Sequence, residues 1–498
     1  MSKRPLRVLL ISAEVESFAR TGGLGDVVAA LARALAERGV DVVVVTPCYG
    51  VTKVPSSARF WEAPVRARVG WGAYDERELG VLEVPLGGAR VCLLVNHALY
   101  GRGGIYGDGH GTFDDNAMRF AMLSRAALSI SDRIWGEPSS PDGGPDVIHA
   151  HDWHAAPAVL YAKLVMGDAW RSRAVVFTIH NLAFQGVFDT SAIDALGLPR
   201  EAYVHGWTAH NGALNLMKGA IELADRVTTV SETYAREILQ PEQGYGLDTH
   251  LRHHAYKLAG IVNGIDSHLF DPKTDAAIAQ RYDARDVAEG KRACKRALLA
   301  EHGLDGDLEA PLFGLVSRLT WQKGIDLVAE NVPELVARGA KLVLVGQGED
   351  RIEDALREAE YRYRGRVATR ITFDAALARR IFAGVDFLLV PSRYEPCGLT
   401  QMYAMRYGAI PIVTAVGGLR DTVEPLDRSG ARGTGIVVAG NHQMEGARAL
   451  LVACLEALDA YGERSVFAAF RERAMARDSS WSSSAQKYLD LYASLVRR

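Results

Sequence analysis

The chain has 498 residues, 48% hydrophobic and 23% charged, with 57 Lys plus Arg against 60 Asp plus Glu and a net charge of -3. A single core rarely grows past about 250–300 residues, so the length predicts two domains, and the composition excludes a disordered or fibrous chain. The charge balance excludes the strong basic excess of an electrostatic nucleic-acid binder, yet leaves room for a local cationic pocket.

At the N-terminus, Lys3, Arg4 and Arg7 precede the apolar run Val8 to Ile11, but Glu14 and Glu16 interrupt it. A signal peptide needs an apolar stretch of about 7–15 residues and a membrane span about 18, so neither is expected here. Leu6 to Ser12 reads instead as a buried strand. Thr21 to Asp26 (TGGLGD) reads as a turn, Val27 to Arg38 as a helix closed by Gly39, and Asp41 to Thr46 as a second buried strand. Strand, glycine turn, helix and strand make a βαβ unit with a parallel sheet.

The plan returns in the second half. Leu312 to Ser317 is a strand, Trp321 to Gly324 opens a helix that closes at Leu335 to Gly339, and Lys341 to Val345 is the next strand. LAERGVDVVVV, ending at Val45, and LVARGAKLVLV, ending at Val345, are weakly alike and support two Rossmann-like halves. Gly136 to Pro145 reads as a surface loop and the boundary falls near residue 262. The expected domains are 1–262, 263–479 and a terminal segment 480–498, in which Tyr488, Leu489, Leu491, Tyr492 and Leu495 have the spacing of a core-packed helix. Two doubly wound α/β domains of this kind leave a cleft at the carboxyl ends of their strands.

The five cysteines (Cys48, Cys92, Cys294, Cys397, Cys454) are scattered and form no C-x-x-C pair. A disulfide framework or zinc site is therefore not expected, and a reducing, cytoplasmic setting fits.

A nicotinamide dinucleotide site is the first rival reading of the early glycines. Gly23-Leu24-Gly25 begins G-x-G-x-x-G, but residue 28 is Val, and the strand ending Val45-Thr46-Pro47 brings no acid to a ribose. The glycines either cradle a phosphate with backbone N–H groups or only let the chain turn.

Arg318 and Lys323, in SRLTWQKG, come directly after a buried strand. An Arg fork and a Lys point charge suit a diphosphate at that position better than they suit open solvent. Asp386 to Val390 reads as another strand, and Pro396-Cys397-Gly398 as the start of a helix running through Met405. The N–H groups of Gly398, Leu399 and Thr400 would then face a ligand. Glu395 either accepts hydrogen bonds from sugar hydroxyls or stabilises that helix N-terminus. Thr414 to Leu419 repeats the strand-to-glycine theme. Asp146 to His149 reads as a strand; His149, His151 and His154 have the look of a zinc cluster, but their spacing at and after that strand suits a loop at the cleft better.

These residues carry a resemblance. TGGLGDV (Thr21 to Val27), HAHDWHA (His149 to Ala155), TIHNLAFQG (Thr178 to Gly186), VNGID (Val262 to Asp266), SRLTWQKG, EPCGLTQ (Glu395 to Gln401) and GGLRDTVE (Gly417 to Glu424) stand in the order of the bacterial glycogen synthases and plant starch synthases. The chain resembles that family, retaining glucosyltransferases of the GT-B fold, over nearly its whole length. The resemblance implies two Rossmann-like domains facing across a cleft, with the C-terminal helix crossing back to the first.

It also implies ADP-glucose as donor, the non-reducing end of an α-1,4-glucan as acceptor, and no cofactor or metal. A UDP-glucose enzyme and a silent glycan-binding protein on the same scaffold are the alternatives. Arg318 and Lys323 match the residues holding the donor diphosphate. Glu395 matches the carboxylate on the glucose hydroxyls, and Cys397 to Thr400 match the backbone donors. His154 matches the active-site histidine near the reacting carbon, Asp26 the acid after the glycine turn, and Gly22, Gly23 and Asn181 further substrate-binding positions. Arg20 stands where the family usually carries Lys before T-G-G-L, which replaces a compact ammonium by a planar fork. Tyr403, eight residues after Glu395, fits the glycogen synthase group.

Overall fold

The computed structural model describes residues 4–72, 75–109, 111–140, 142–427, 432–438 and 446–496. The chain divides into two compact units. Unit 1 holds residues up to Gly264 together with Trp481 onward, and unit 2 holds Ile265–Ser480.

Unit 1 is built on a largely parallel sheet. Its elements in chain order are β1 (Arg7–Ile11), α1 (Gly23–Ala36), β2 (Asp41–Pro47), β3 (Glu76–Leu86), β4 (Ala89–Val95), α2 (Asn116–Trp135) and β5 (Val147–His151). They continue with α3 (Asp152–Leu160), β6 (Ala174–Ile179), α4 (Leu216–Leu223), β7 (Arg226–Thr229), α5 (Asp248–His253) and β8 (Leu258–Gly260). The strand order is β8-β7-β6-β5-β1-β2-β4-β3, with only β3 in this series antiparallel to its neighbour. The hydrophobic runs read in the sequence are its centre. β1 pairs in parallel with β2 from Arg7 opposite Asp41 to Ile11 opposite Val45, and Val8 to Ile11 are fully buried. From β1 the chain winds outward one way through β2 and β4 and the other way through β5 to β8. The β1–β5 boundary is therefore a topological switch point, where open α/β sheets bind ligands at their strands' carboxyl ends.

The C-terminal helix Trp481–Val496 belongs to this unit, and Arg497 and Arg498 lie outside the described residues. It buries Trp481, Ala485, Tyr488, Tyr492 and Leu495 in the cluster that contains α1. Leu489 and Leu491, expected on the same face, are only partly buried. Two polar clips fix the helix: Tyr492 Oη lies 2.7 Å from His149 Nδ1, and Ser484 Oγ donates to the Val262 carbonyl. The stretch from Gly136 to Pro145 is a loop inside this unit, with Pro141 outside the described residues.

Unit 2 is a six-stranded parallel sheet made of β9 (Leu312–Val316), α6 (Ile325–Ala337), β10 (Lys341–Gly346), β11 (Val367–Ile371), β12 (Phe387–Val390), α7 (Thr400–Arg406), β13 (Ile410–Thr414), α8 (Gly417–Thr422) and β14 (Ile436–Val438). Its order, β11-β10-β9-β12-β13-β14, is the 3-2-1-4-5-6 winding of a Rossmann sheet, with the switch point between β9 and β12. The weak internal likeness has a structural counterpart. Gly39 after α1 and Gly339 after α6 both take a left-handed φ, of 80° and 85°, just before the next strand.

Candidate functional site

In unit 1 the site residues lie just beyond the carboxyl ends of β1 and β5, the two strands at the switch point. The glycine segment is not the turn the sequence indicates. Gly22 is an extended residue just before α1, and Gly23 is already helical, so α1 starts four residues earlier than its apolar spacing predicts. Gly22, Gly23 and Gly25 are absent from the positive-φ glycines. Gly25 serves a close approach instead: a Cβ there would stand 3.1 Å from the backbone nitrogen of Glu16, whose N–H donates to the Gly25 carbonyl.

What orders this segment is Glu14, which the sequence offered only as a break in an apolar run. Its buried carboxylate accepts from the Thr21 N–H (2.6 Å), the Thr21 hydroxyl (2.7 Å), the Gly22 N–H (3.2 Å) and the Tyr106 hydroxyl (2.5 Å). Arg20 pairs with Asp26 at 3.0 Å. Burial pushes the Asp26 carboxyl up to about 7, against the pull of Arg20.

The histidines are not on a loop. His149 and His151 lie within β5 with no exposed surface, because the strand runs two residues further than expected. His149 is held between Tyr492 and Thr178 Oγ1 (2.6 Å), and His151 Nδ1 faces His180 Nε2 at 3.0 Å. They build the core under the site. His154 alone stands in α3, which begins at Asp152 without a connecting turn. Its ring stacks on Tyr106 with centroids 4.6 Å apart and meets Phe120 edge-on at 4.8 Å and Trp153 at 4.3 Å. Burial pushes its pKa down to about 3, so at neutral pH it is an uncharged imidazole that can donate or accept but carries no charge. Tyr106 thus joins the two segments: its hydroxyl holds Glu14 and its ring backs His154. It lies far from every quoted motif, and no spacing signals it.

Asp152 makes the abrupt strand-to-helix change possible. Its φ is 58°, uncommon for a residue with a side chain, and its carboxylate accepts from the His180 N–H at 2.7 Å and the Asn181 N–H at 3.4 Å. Asn181, at the carboxyl end of β6, is thereby tied to the start of the helix that carries His154. Burial raises the Asp152 carboxyl to about 7, while those two N–H bonds oppose the rise.

In unit 2 the site residues come after β9 and β12, again the pair at the switch point. Trp321–Lys323 is one 3₁₀ turn rather than the start of the helix. Gly324 (φ 68°) ends it, and α6 begins at Ile325. Arg318 is exposed, and among the described residues its guanidinium has no hydrogen-bond or ion-pair partner. Lys323 and Glu395, assigned by sequence to different parts of a donor, form an ion pair, and Ser392 Oγ donates to the same carboxylate at 3.0 Å. Both hydrogen-bond partners of the carboxylate among the described residues are side chains, not N–H groups of the following helix. That helix starts at Thr400 rather than at Pro396, because Gly398 has a φ of 73° that a helix cannot take. Gly398 and Leu399 therefore belong to the preceding loop together with Cys397. The first N–H groups of α7, at Thr400 and Gln401, are those left without helical carbonyls.

The two loops are stapled to each other. Arg393 forms a two-pronged pair with Asp326 (2.7 Å on each prong), lies over the Trp321 ring at 4.5 Å and donates to the Trp321 carbonyl; its own N–H donates to the Gln322 carbonyl. Gly324 passes so near Pro391 that a Cβ would stand 2.1 Å from its carbonyl oxygen. From β13 the Thr414 hydroxyl donates to the Ser392 carbonyl at 2.5 Å, and from the start of α8 the Gly418 N–H reaches the carbonyls of Glu395 and Pro396. On the other side, Glu349 accepts from the Trp321 N–H at 2.9 Å and donates its own N–H to the Leu319 carbonyl. Arg393 and Glu349 escape a reading of the sequence, although VGQGED at the end of β10 repeats the strand-to-glycine theme.

Unit 1 therefore presents an acid-rich switch point with a neutral histidine, and unit 2 a cationic one with a buried carboxylate. Residues 7–253 match the family described as starch synthase catalytic domain, and residues 310–455 match glycosyl transferases group 1. The glycogen synthase of Anaeromyxobacter dehalogenans (strain 2CP-C) is 45% identical over 496 residues, covering 99% of this chain and 100% of its own. That of Myxococcus xanthus (strain DK1622) is 43% identical over 505 residues, covering 99% and 100%. Among solved structures, the catalytic domain of starch synthase IV from Arabidopsis thaliana, bound to ADP and acarbose, matches with a TM-score of 0.88 at 31% identity, over 99% of this chain and 100% of that one. The chain belongs to the glycogen and starch synthase family, glycosyltransferases of the GT-B fold.

Proposed function

We propose that the protein transfers glucose from ADP-glucose to the non-reducing end of an α-1,4-glucan, with retention at the anomeric carbon. The observation that carries the reading is the unit 2 switch point, where an exposed Arg318 and the Lys323–Glu395 pair come after adjacent strands. A leaving nucleoside diphosphate gains negative charge as the glycosidic bond breaks. Arg318 and Lys323 answer that charge, each worth about 2.7–4 kcal/mol by analogy with oxyanion-hole donors. On this reading they do so without a metal or an organic cofactor. When the diphosphate draws Lys323 toward itself, the Glu395 carboxylate is released to the sugar hydroxyls. His154, uncharged, donates or accepts beside the sugar and adds no charge to a ring that is itself becoming positive. Arg20 and Asp26, paired at 3.0 Å, and the Gly22–Gly23 segment form the remaining donor contacts.

The relatives named glycogen synthase and the starch synthase structure bound to ADP support the choice of donor and acceptor. None of the five thiols is in a disulfide, and no helix among the described residues is long and apolar enough to cross a membrane, in keeping with work in the cytoplasm. The deciding experiment compares ADP-glucose with UDP-glucose on a glycogen primer and reads the new linkage by proton NMR. Faster transfer from ADP-glucose into an α-linkage is the expected result. A preference for UDP-glucose, or a β-linkage, overturns the reading.

A further inference from the structure

Zinc ligation fails at His149, His151 and His154, because the first two are committed to the core. A different triad has the required chemistry. His250 and His254 are four residues apart, on α5 and at its end, and so share one face. Their rings meet edge-on with centroids 4.6 Å apart. Glu222, on α4, reaches them from across the sequence: its Oε2 is 3.0 Å from His254 Nε2 and 3.8 Å from His250 Nε2. One ligand atom from each of the three residues lies within 4.8 Å of the other two.

With Zn–N and Zn–O bonds of about 2.0–2.1 Å, tetrahedral ligand atoms stand about 3.3 Å apart, a value the two measured separations straddle. The neighbouring lysines attract the carboxylate through space but hydrogen-bond to backbone carbonyls, and the Lys218 carbonyl itself lies 3.3 Å from His250 Nε2, a contact a bound ion replaces. Lys218 Nζ donates to the Gly206 and Ala209 carbonyls, and Lys257 Nζ to those of Glu222 and Ala224. Among the described residues, Glu222 Oε2 is paired with imidazoles and with no lysine or arginine. His254 is buried, its Nε2 faces the Glu222 carboxylate, and its Nδ1 has no hydrogen-bond partner among the described residues.

We propose that Glu222, His250 and His254 form a site for a divalent transition-metal ion of the zinc class, clipping α4 to α5. Two imidazoles and one carboxylate leave a fourth position to water, and the two histidines at helical spacing are the arrangement such ions favour. The site uses none of the residues assigned to glucose transfer, so its occupancy and the transfer reaction are separable.

The test is a titration of chelator-stripped full-length protein with Zn2+, followed by calorimetry, and with Co2+, followed by visible absorption. One equivalent per chain is expected, with tetrahedral-type cobalt bands and a rise of roughly 5 °C in unfolding temperature at a hundredfold excess over Kd. Mg2+ should produce neither effect. His250→Ala and Glu222→Gln should each weaken Zn2+ binding at least tenfold while glucose transfer persists, which shows that these variants are folded. Absence of stoichiometric binding, or equal affinity in both variants, overturns the proposal.

Discussion

Replacing Gly324 by Ala tests whether the two loops of unit 2 act as one constellation. Two effects combine at this position. A left-handed φ costs a residue with a Cβ about 1–2 kcal/mol. In addition, the new Cβ would stand 2.1 Å from the Pro391 carbonyl oxygen, and real contacts of that kind stay beyond 3.0 Å. The 321–323 turn and the 391–395 loop must then separate by about 1 Å, a displacement that in an active site costs about a hundredfold in rate. That separation strains the Lys323–Glu395 pair and the Arg393 staple together. Gly339→Ala is the control, because Gly339 has a φ of 85° and no atom within 4 Å of the point a Cβ would occupy. It carries the conformational cost alone, far from Lys323 in sequence. Steady-state transfer assays with chemical denaturation should show both variants less stable. Only Gly324→Ala should lose about a hundredfold in kcat/KM. Full activity in Gly324→Ala would refute the claim that the contact of these loops sets the site.

Lys323→Ala should lower kcat at least a hundredfold while circular dichroism stays unchanged; near-normal turnover would remove the diphosphate assignment. Arg20→Ala should weaken donor affinity in a binding titration, and wild-type affinity and turnover would show that Arg20 has no donor contact. Asp26→Asn should stabilise the protein, more so at high pH. The folded carboxyl sits near pH 7, above its unfolded value of 3.8, so its stability contribution is lost as pH rises through 7. The gain over wild type in denaturant melts should be about 1.4 kcal/mol larger at pH 8 than at pH 6, and a pH-independent gain would contradict the raised pKa. Tyr492→Phe should cost about 1–3 kcal/mol by leaving the buried His149 Nδ1 unpaired, and an unchanged melt would show that the clip carries no stability.

The central strands of both sheets were legible because a strand buried on both faces is a continuous apolar run, and VVVV in β2 or LVLV in β10 admits few other readings. The residues immediately after those strands were legible too, since charged or small side chains there break the run abruptly. What stayed hidden has a common cause. Glu14, Tyr106, Arg393 and Glu349 act by touching segments that are distant in sequence or bound through backbone groups, and neither kind of contact has a period. Helix starts mislead for a related reason. At α1 the start depends on a carboxylate nine residues upstream taking two N–H groups of the segment before it, and at α7 on the sign of one glycine's φ. The histidine motif reads as a loop because nothing in its composition reveals that Asp152 adopts a left-handed conformation and lets a helix follow the strand without a linker.

The return of the C-terminal helix to unit 1 has a consequence for biosynthesis. Unit 2 is a continuous stretch of chain and is complete as soon as Ser480 has been added, whereas unit 1 is interrupted by it. Until Trp481 and the tyrosines after it emerge, the cluster around α1 lacks one wall and His149 lacks its hydroxyl partner. With roughly two hundred residues in between, and synthesis at about 5–20 residues per second, the first unit waits roughly 10–40 s for its last piece. The part that starts first on the ribosome thus finishes last, and during that interval its unfinished apolar surface is where a chaperone would be expected to bind.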